Sequence, residues 1–110
     1  MANNVKAIPE GFHSITPALT CKNAAKAIDF YKQALGAKEI SRMEMPGGGI
    51  GHADLQIGDS HFFLNDEYPG LGAAPDGKVP SVSLLFYTVS VHCLYNTAAP
   101  AGCAVTMPLP

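Results

Sequence analysis

Residues 23–36, Asn-Ala-Ala-Lys-Ala-Ile-Asp-Phe-Tyr-Lys-Gln-Ala-Leu-Gly, constrain this chain more than any other stretch. Asn23 is a good N-cap, because its side-chain oxygen can accept a free backbone N–H of the first turn. Gly36 stands where a left-handed residue is wanted at a helix end. Between them Ala24, Ala27, Ile28, Tyr31, Ala34 and Leu35 recur at three- and four-residue steps and share one face. Lys22, Lys26, Asp29 and Lys32 lie largely off it. One amphipathic helix is predicted, and its apolar stripe requires a partner. The flanking stretches are strand-like, so that partner is expected to be a sheet.

Residues 12–21 are rich in Ile, Thr and Phe and predict a strand, which Pro17 confines to an edge or a bulge. A further extended segment starts at Lys38, and Pro46-Gly47-Gly48-Gly49 marks a turn. Residues 50–57 alternate: Gly51, Ala53, Leu55 and Ile57 on one side, Ile50, His52, Asp54 and Gln56 on the other. Gly58-Asp59 predicts a two-residue hairpin turn and residues 60–65 the returning strand. Residues 1–65 therefore spell strand, helix and three strands. Pro69, Gly70, Gly72, Pro75, Gly77 and Pro80 mark residues 66–80 as a linker loop. Residues 81–89 predict a strand, Ser90 a cap, and residues 91–101 a second helix with Val91, Leu94, Tyr95 and Ala98 as its stripe. Pro100 should end or strain that helix, and Gly102 stops it. Residues 104–107 could begin another strand.

An internal repeat is visible. Ser14-Ile15 precedes the cap Asn23 as Ser81-Val82 precedes the cap Ser90, and each helix closes at a glycine. The fold class expected is α+β: a complete βαβββ module, then an incomplete βα(β) module at residues 81–110, all in one domain spanning 1–110.

Composition bounds the function. The chain is 47% hydrophobic and 15% charged, against about 25% charged in an ordinary domain. It has no basic cluster, so nucleic acid is not an expected partner. It has no apolar run long enough to span a membrane, and its start lacks a signal-peptide pattern. A cytoplasmic location is the expectation. Cys21, Cys93 and Cys103 are odd in number and show no CxxC spacing, so they read as reduced packing residues. Residues 79–110 contain no Asp, Glu, Lys or Arg. Together with Leu84, Leu85, Phe86, Tyr87, Leu94 and Tyr95, that predicts a homodimer interface or a segment withdrawn from its ancestral use.

The segments Gly11-Phe12-His13-Ser14-Ile15-Thr16-Pro17, Ala27-Ile28-Asp29-Phe30-Tyr31-Lys32, Ile50-Gly51-His52-Ala53-Asp54-Leu55-Gln56-Ile57-Gly58-Asp59-Ser60 and Val105-Thr106-Met107-Pro108-Leu109 together resemble the vicinal oxygen chelate superfamily. That group holds the glyoxalases, bleomycin-resistance proteins and extradiol dioxygenases, and the wording is closest to its PhnB-like branch. The resemblance implies two metal ligands from each module on the concave face of the sheet. Three of those positions fall on Thr16, Asp54 and Ser83, and the fourth on a strand beyond the present second module, which is expected to be truncated. Asp54 alone is a competent ligand, and a divalent ion needs several such donors. No metal and no cofactor are therefore expected, and no catalytic residue is assigned.

Asp54 has two readings: a polar residue on a solvated strand face, or an acceptor for a small ligand. His52 and Gln56 share its face. With Thr16, Ser83, Phe63, Leu85 and Tyr87 they would line a cleft suited to a small molecule with a few polar anchors. The expectation is metal-free small-molecule binding. The alternatives are a metal-dependent lyase or dioxygenase completed by a partner chain, and a non-catalytic dimeric remnant. Gly47-Gly48-Gly49 lacks a following helix and the Lys-Ser/Thr of a phosphate loop, and reads as a turn.

Overall fold

A computed structural model of the chain describes residues 6–68 and 83–104. Four strands and two helices follow in the order β1 (Ala18–Cys21), α1 (Ala24–Leu35), β2 (Lys38–Glu44), β3 (Ile50–Ile57), β4 (Ser60–Asp66) and α2 (Val91–Ala98). The strands form one mixed sheet in the order β1-β4-β3-β2, with β1 parallel to β4 and the other neighbours antiparallel. The first five elements are the α+β βαβββ module expected from the sequence.

The helix signals act as the residues require. Asn23 Oδ1 accepts the Lys26 N–H at 3.1 Å. Gly36 adopts a left-handed conformation (φ 67°), which brings its own N–H and that of Ala37 onto the Tyr31 carbonyl. The buried stripe of α1, Ala24 and Ile28, packs on Ala53, Leu55, Phe62 and Leu64 of the sheet. Tyr31 extends this contact by an edge-to-face meeting with Phe62, with ring centroids 5.1 Å apart. In β3 the alternation holds. Ala53 and Leu55 are fully buried beneath α1, and Ile57 packs beside them. Burying Ile28, Leu55 and Leu64 completely contributes about 1.5–3 kcal/mol for each side chain.

The Asp66 carboxylate ties three elements together. Its Oδ1 accepts the Ala24 N–H at 2.7 Å and its Oδ2 the Ile50 N–H at 2.8 Å. It thus satisfies an orphan donor of the first turn of α1 and places a negative charge at the positive end of the helix dipole. The same group holds the first residue of β3.

Three strand and helix expectations are corrected. The first strand does not begin at residue 12 but at Ala18. Pro17 has no N–H to offer; its carbonyl still takes the Phe63 N–H at 2.8 Å, and the residues before it leave the sheet. Residues 83–89 form no strand: the run is apolar enough for one, but it pairs with none of β1–β4, and residues 83–87 instead lie against the end of the β3–β4 hairpin. Helix α2 ends at Ala98, short of residue 101. Pro100 cannot donate to the Asn96 carbonyl, so the ladder stops and Gly102 (φ 117°) turns the chain, with the Cys103 N–H returning to Ala98. No residue of α2 is fully buried. It lies against α1, with Gly102 beside the Phe30 ring. The linker calls at 69–80 and the strand call at 105–107 lie outside the described residues. No described helix is long and apolar enough to cross a membrane.

Replacing Asp66 with Ala should lower the free energy of unfolding by roughly 2–4 kcal/mol, because two donors lose a charged acceptor. Asn at this position has one acceptor oxygen and should recover about half of that loss. Urea unfolding of the three proteins checks this; an unchanged midpoint for D66A would refute the clamp.

On β2, Glu39 bridges Arg42 (2.6 Å) and Lys32 of α1 (2.6 Å). The Arg42 hydrogen bond first, and then that of Lys32, hold the Glu39 carboxyl below its ordinary value of 4.5. A depressed carboxyl stabilises the fold above its unfolded value, and that contribution fades as pH falls through the lowered folded value. The stability difference between wild type and E39Q should therefore be about 0.2–1 kcal/mol at neutral pH and vanish in acid below the ordinary carboxyl range. A difference that grows on acidification would contradict it.

Candidate functional site

On the sheet face away from α1, β3 contributes His52, Asp54 and Gln56, and β4 contributes His61 and Phe63. The register pairs Asp54 with Phe63 and Gln56 with His61, so Asp54 and His61 are diagonal neighbours on one face. His61 Nδ1 meets Asp54 Oδ1 at 2.7 Å, with both side chains only about a tenth exposed. Asp54 is the one buried charged residue among those described. A carboxylate can only accept, so Nδ1 carries the hydrogen of this bond.

Phe12 covers this pair. Having left the sheet before Pro17, the lead-in segment folds across the face and stacks the Phe12 ring on the His61 imidazole, with centroids 4.1 Å apart and planes inclined by 27°. The Phe12 N–H donates to the Pro9 carbonyl at 3.0 Å, which fixes the turn that brings the ring over. Phe12 also reaches Phe63, whose edge in turn meets His52.

Beside this cluster lies a partly open cavity of about 550 Å³, at the turn end of the β3–β4 hairpin. Three segments wall it: the lead-in from Phe12 to Pro17, the hairpin from Ile57 to Phe62, and residues 83–87. The two-residue turn forms because Gly58 takes a positive φ (58°) between the paired Ile57 and Ser60. Of the residues expected to bind a ligand, Thr16, Ser83, Leu85 and Tyr87 lie in the cavity wall. His52, Asp54, Gln56 and Phe63 lie on the adjoining sheet face, outside it. Gln56 spends its amide on the Gly58 carbonyl at 3.2 Å.

His61 and Phe12 were not among the expected residues, yet they join the sheet face to the cavity. The available signal for His61 was its position two residues from the register partner of Asp54, which the Gly58-Asp59 turn specifies. Phe12 gave none, because the predicted strand placed it in the sheet.

The Cys21 thiol does not have the surroundings of a nucleophile. Burial, and secondarily the negative charge of Asp66, push the Cys21 thiol up from its ordinary range, which disfavours the reactive thiolate. All three cysteines are free. Burial likewise raises the Tyr31 hydroxyl.

A model of the glyoxalase/bleomycin resistance protein/dioxygenase superfamily matches residues 11–110. The chain belongs to that superfamily. An uncharacterized protein of Mycobacterium bovis is 33% identical over 102 residues, covering 87% of this chain and 66% of its own length. An uncharacterized Mycobacterium tuberculosis protein matches equally, with 59% of its length covered. The superfamily fold recurs in TioX from Micromonospora sp. ML1 (TM-score 0.61, 19% identity, 89% of this chain and 79% of that one). It recurs in a gene product of Arabidopsis thaliana (TM-score 0.63, 22% identity, 90% and 80%). The PhnB protein of Bacillus cereus shares it as well (TM-score 0.62, 18% identity, 81% and 72%).

The superfamily resemblance implies a metal, and the residues present do not suit one. Thr16 and Ser83 offer only hydroxyl oxygens, and the Asp54 carboxylate is already engaged by His61. Among the described residues no three His, Cys, Asp or Glu side chains come together.

Proposed function

We propose that this superfamily member binds a small, largely apolar molecule in the hairpin-end cavity without a metal. The observation that carries this is the cavity itself. Its volume of about 550 Å³ falls within the range of roughly 300–1,000 Å³ of small-molecule sites. Its wall is mainly apolar, through residues such as Ile15, Ile57, Phe62 and Leu84, with His13, Thr16, Asp59, Ser60, His61 and Ser83 as polar points. Ile15, Leu85 and Tyr87 stand mostly exposed at its rim, where an apolar occupant would remove them from water.

The test is titration with the uncharged fluorophore N-phenyl-1-naphthylamine. Wild type should bind it saturably at one site. Thr16→Trp, which places an indole in the wall, should weaken binding by about tenfold or more, equivalent to about 1.4 kcal/mol, while leaving thermal unfolding near that of wild type. Absence of saturable binding, or equal binding by the variant, would reject the reading. Restoration of a tight site only by added zinc, nickel, iron or manganese would favour the metal-dependent alternative.

We also propose that the chain pairs with a second copy through the segment that ends in α2. Tyr87 is 92% exposed, Leu85 79%, and Val89 has no cover; Val91 continues the apolar surface. Contiguous apolar surface of this kind marks an interaction site. Sedimentation at micromolar concentration should show a dimer, and the double variant Tyr87→Lys, Val89→Lys should shift it to monomer with the fold retained. A monomeric wild type, or a variant that stays dimeric, would rule this surface out. With three free cysteines, the chain suits a reducing compartment, and we assign it to the cytoplasm.

A further inference from the structure

We infer that residues 83–104 act as a lid, which leaves the first module as one unit while that module stays folded, and that a molecule in the cavity holds the lid down. The holding rests on the small-molecule reading of the cavity; the opening does not.

The lid is attached by apolar contact. Among the described residues its hydrogen bonds all close within the segment. Ser90 Oγ accepts the Cys93 N–H at 3.3 Å, the Thr97 hydroxyl donates to the Cys93 carbonyl at 3.0 Å, and the Cys103 N–H returns to Ala98. The segment contains no Asp, Glu, Lys or Arg. Helix α2 approaches α1 and none of the four strands. Its best covered residues, Leu94, Tyr95 and Ala98, are only half-buried, and Gly102 rests beside the Phe30 ring. The first module is held differently, by fully buried side chains and by the two bonds of Asp66. A part with little buried apolar contact and no hydrogen bond to the remainder opens at lower free energy than the core.

Docking of α2 and its folding are one event. It has eight residues, and helices shorter than about 12–15 residues are marginal alone in water. It therefore keeps its helix only while seated on α1, and exchange of its amides reads the seating. Its cap Ser90 follows directly on residues 83–89, which form no strand, and residues 83–87 wall the cavity. Among those five only Leu84 is half-buried, so this wall has little hold of its own once α2 departs. The facing wall, from Ile57 to Phe62, belongs to the paired β3–β4 hairpin and stays. A molecule that touches both walls binds the shut form better than the open one. It shifts the equilibrium towards the shut form by that difference.

Hydrogen exchange of the whole chain, read by mass spectrometry, tests both halves, with N-phenyl-1-naphthylamine as the probe. In its absence the α2 amides should exchange faster than those of α1 and β3, on the order of a hundredfold or more. With the probe at about ten times its Kd, α2 exchange should slow about tenfold, because opening must first release the probe. Thr16→Trp, which fills the cavity from the lead-in side, should leave α2 exchange nearly unslowed at the same probe concentration. Leu94→Ala changes the lid outside the cavity wall. It should speed α2 exchange about tenfold through lost apolar contact and leave β3 exchange as in wild type.

Wild-type α2 amides that exchange as slowly as those of β3, or a Leu94→Ala change that speeds both equally, would show that the segment opens only with the whole fold. The lid would then be wrong while the cavity reading stands. A probe that binds saturably yet leaves α2 exchange unchanged would show that the cavity does not hold the segment, again with the cavity reading intact. If the probe does not bind, the cavity reading fails and the holding with it, and exchange without the probe still decides the opening. The wild-type measurements need no variant, so a misfolded substitution does not protect the inference.

Discussion

Everything in the first module is referred to one carboxylate. Asp66 closes β4, and from there its two oxygens hold the start of α1 and the start of β3. The helix cannot slide along the sheet without giving up the Ala24 bond, and the turn at Pro46 to Gly49 cannot drift without giving up the Ile50 bond. The packing of Ile28 over Leu55 and Leu64 is non-directional. By itself it would tolerate some displacement; the two short bonds set the register in which it occurs. The position of Asp54 and His61 on the opposite face follows from that register, since a shift of one residue in β3 would exchange Asp54 for a core residue.

The two faces of the sheet are consequently unlike in kind. One is covered by α1 and is apolar. Among the described residues the other is covered by the lead-in segment, with the Phe12 ring on His61, and there the Asp54 carboxylate is buried. Burying a carboxylate is costly unless it is hydrogen-bonded, and the imidazole of His61 supplies such a bond. The same hydrogen bond holds His61, which lies in the cavity wall, so the arrangement that makes the buried charge tolerable also sets a polar ring at the site.

Much of this was legible in the residues. Asn23 and Gly36 bounded α1, the alternation of residues 50–57 assigned both faces of β3, and Gly58-Asp59 placed the hairpin. These are local signals, in which a residue and its neighbours decide the conformation. The remainder required contacts between distant parts of the chain. Asp66 looked like the first residue of a loop, because nothing near it in sequence shows that Ala24 and Ile50 need an acceptor. Phe12 looked like strand, because its composition suits one and only the loss of pairing before Pro17 frees it. Residues 83–89 have strand composition without a strand's neighbour. In the site, Thr16 and Ser83 were marked by the superfamily resemblance and Leu85 and Tyr87 by the strand expected around them, whereas His61 emerges only when the register is drawn out.

The parallel pairing of β1 with β4 has a consequence for the order in which the molecule can assemble. β1 precedes α1, yet its ladder partner ends the module; Thr20 and Asn65, which face each other across it, are separated by 45 positions. The β3–β4 hairpin can close by itself within microseconds, but β1 must wait for a long loop to be brought together. On a ribosome delivering about 5–20 residues each second, α1 would spend some seconds outside the exit tunnel with its apolar stripe uncovered. It can dock only when Asp66, 42 positions after Ala24, has itself emerged.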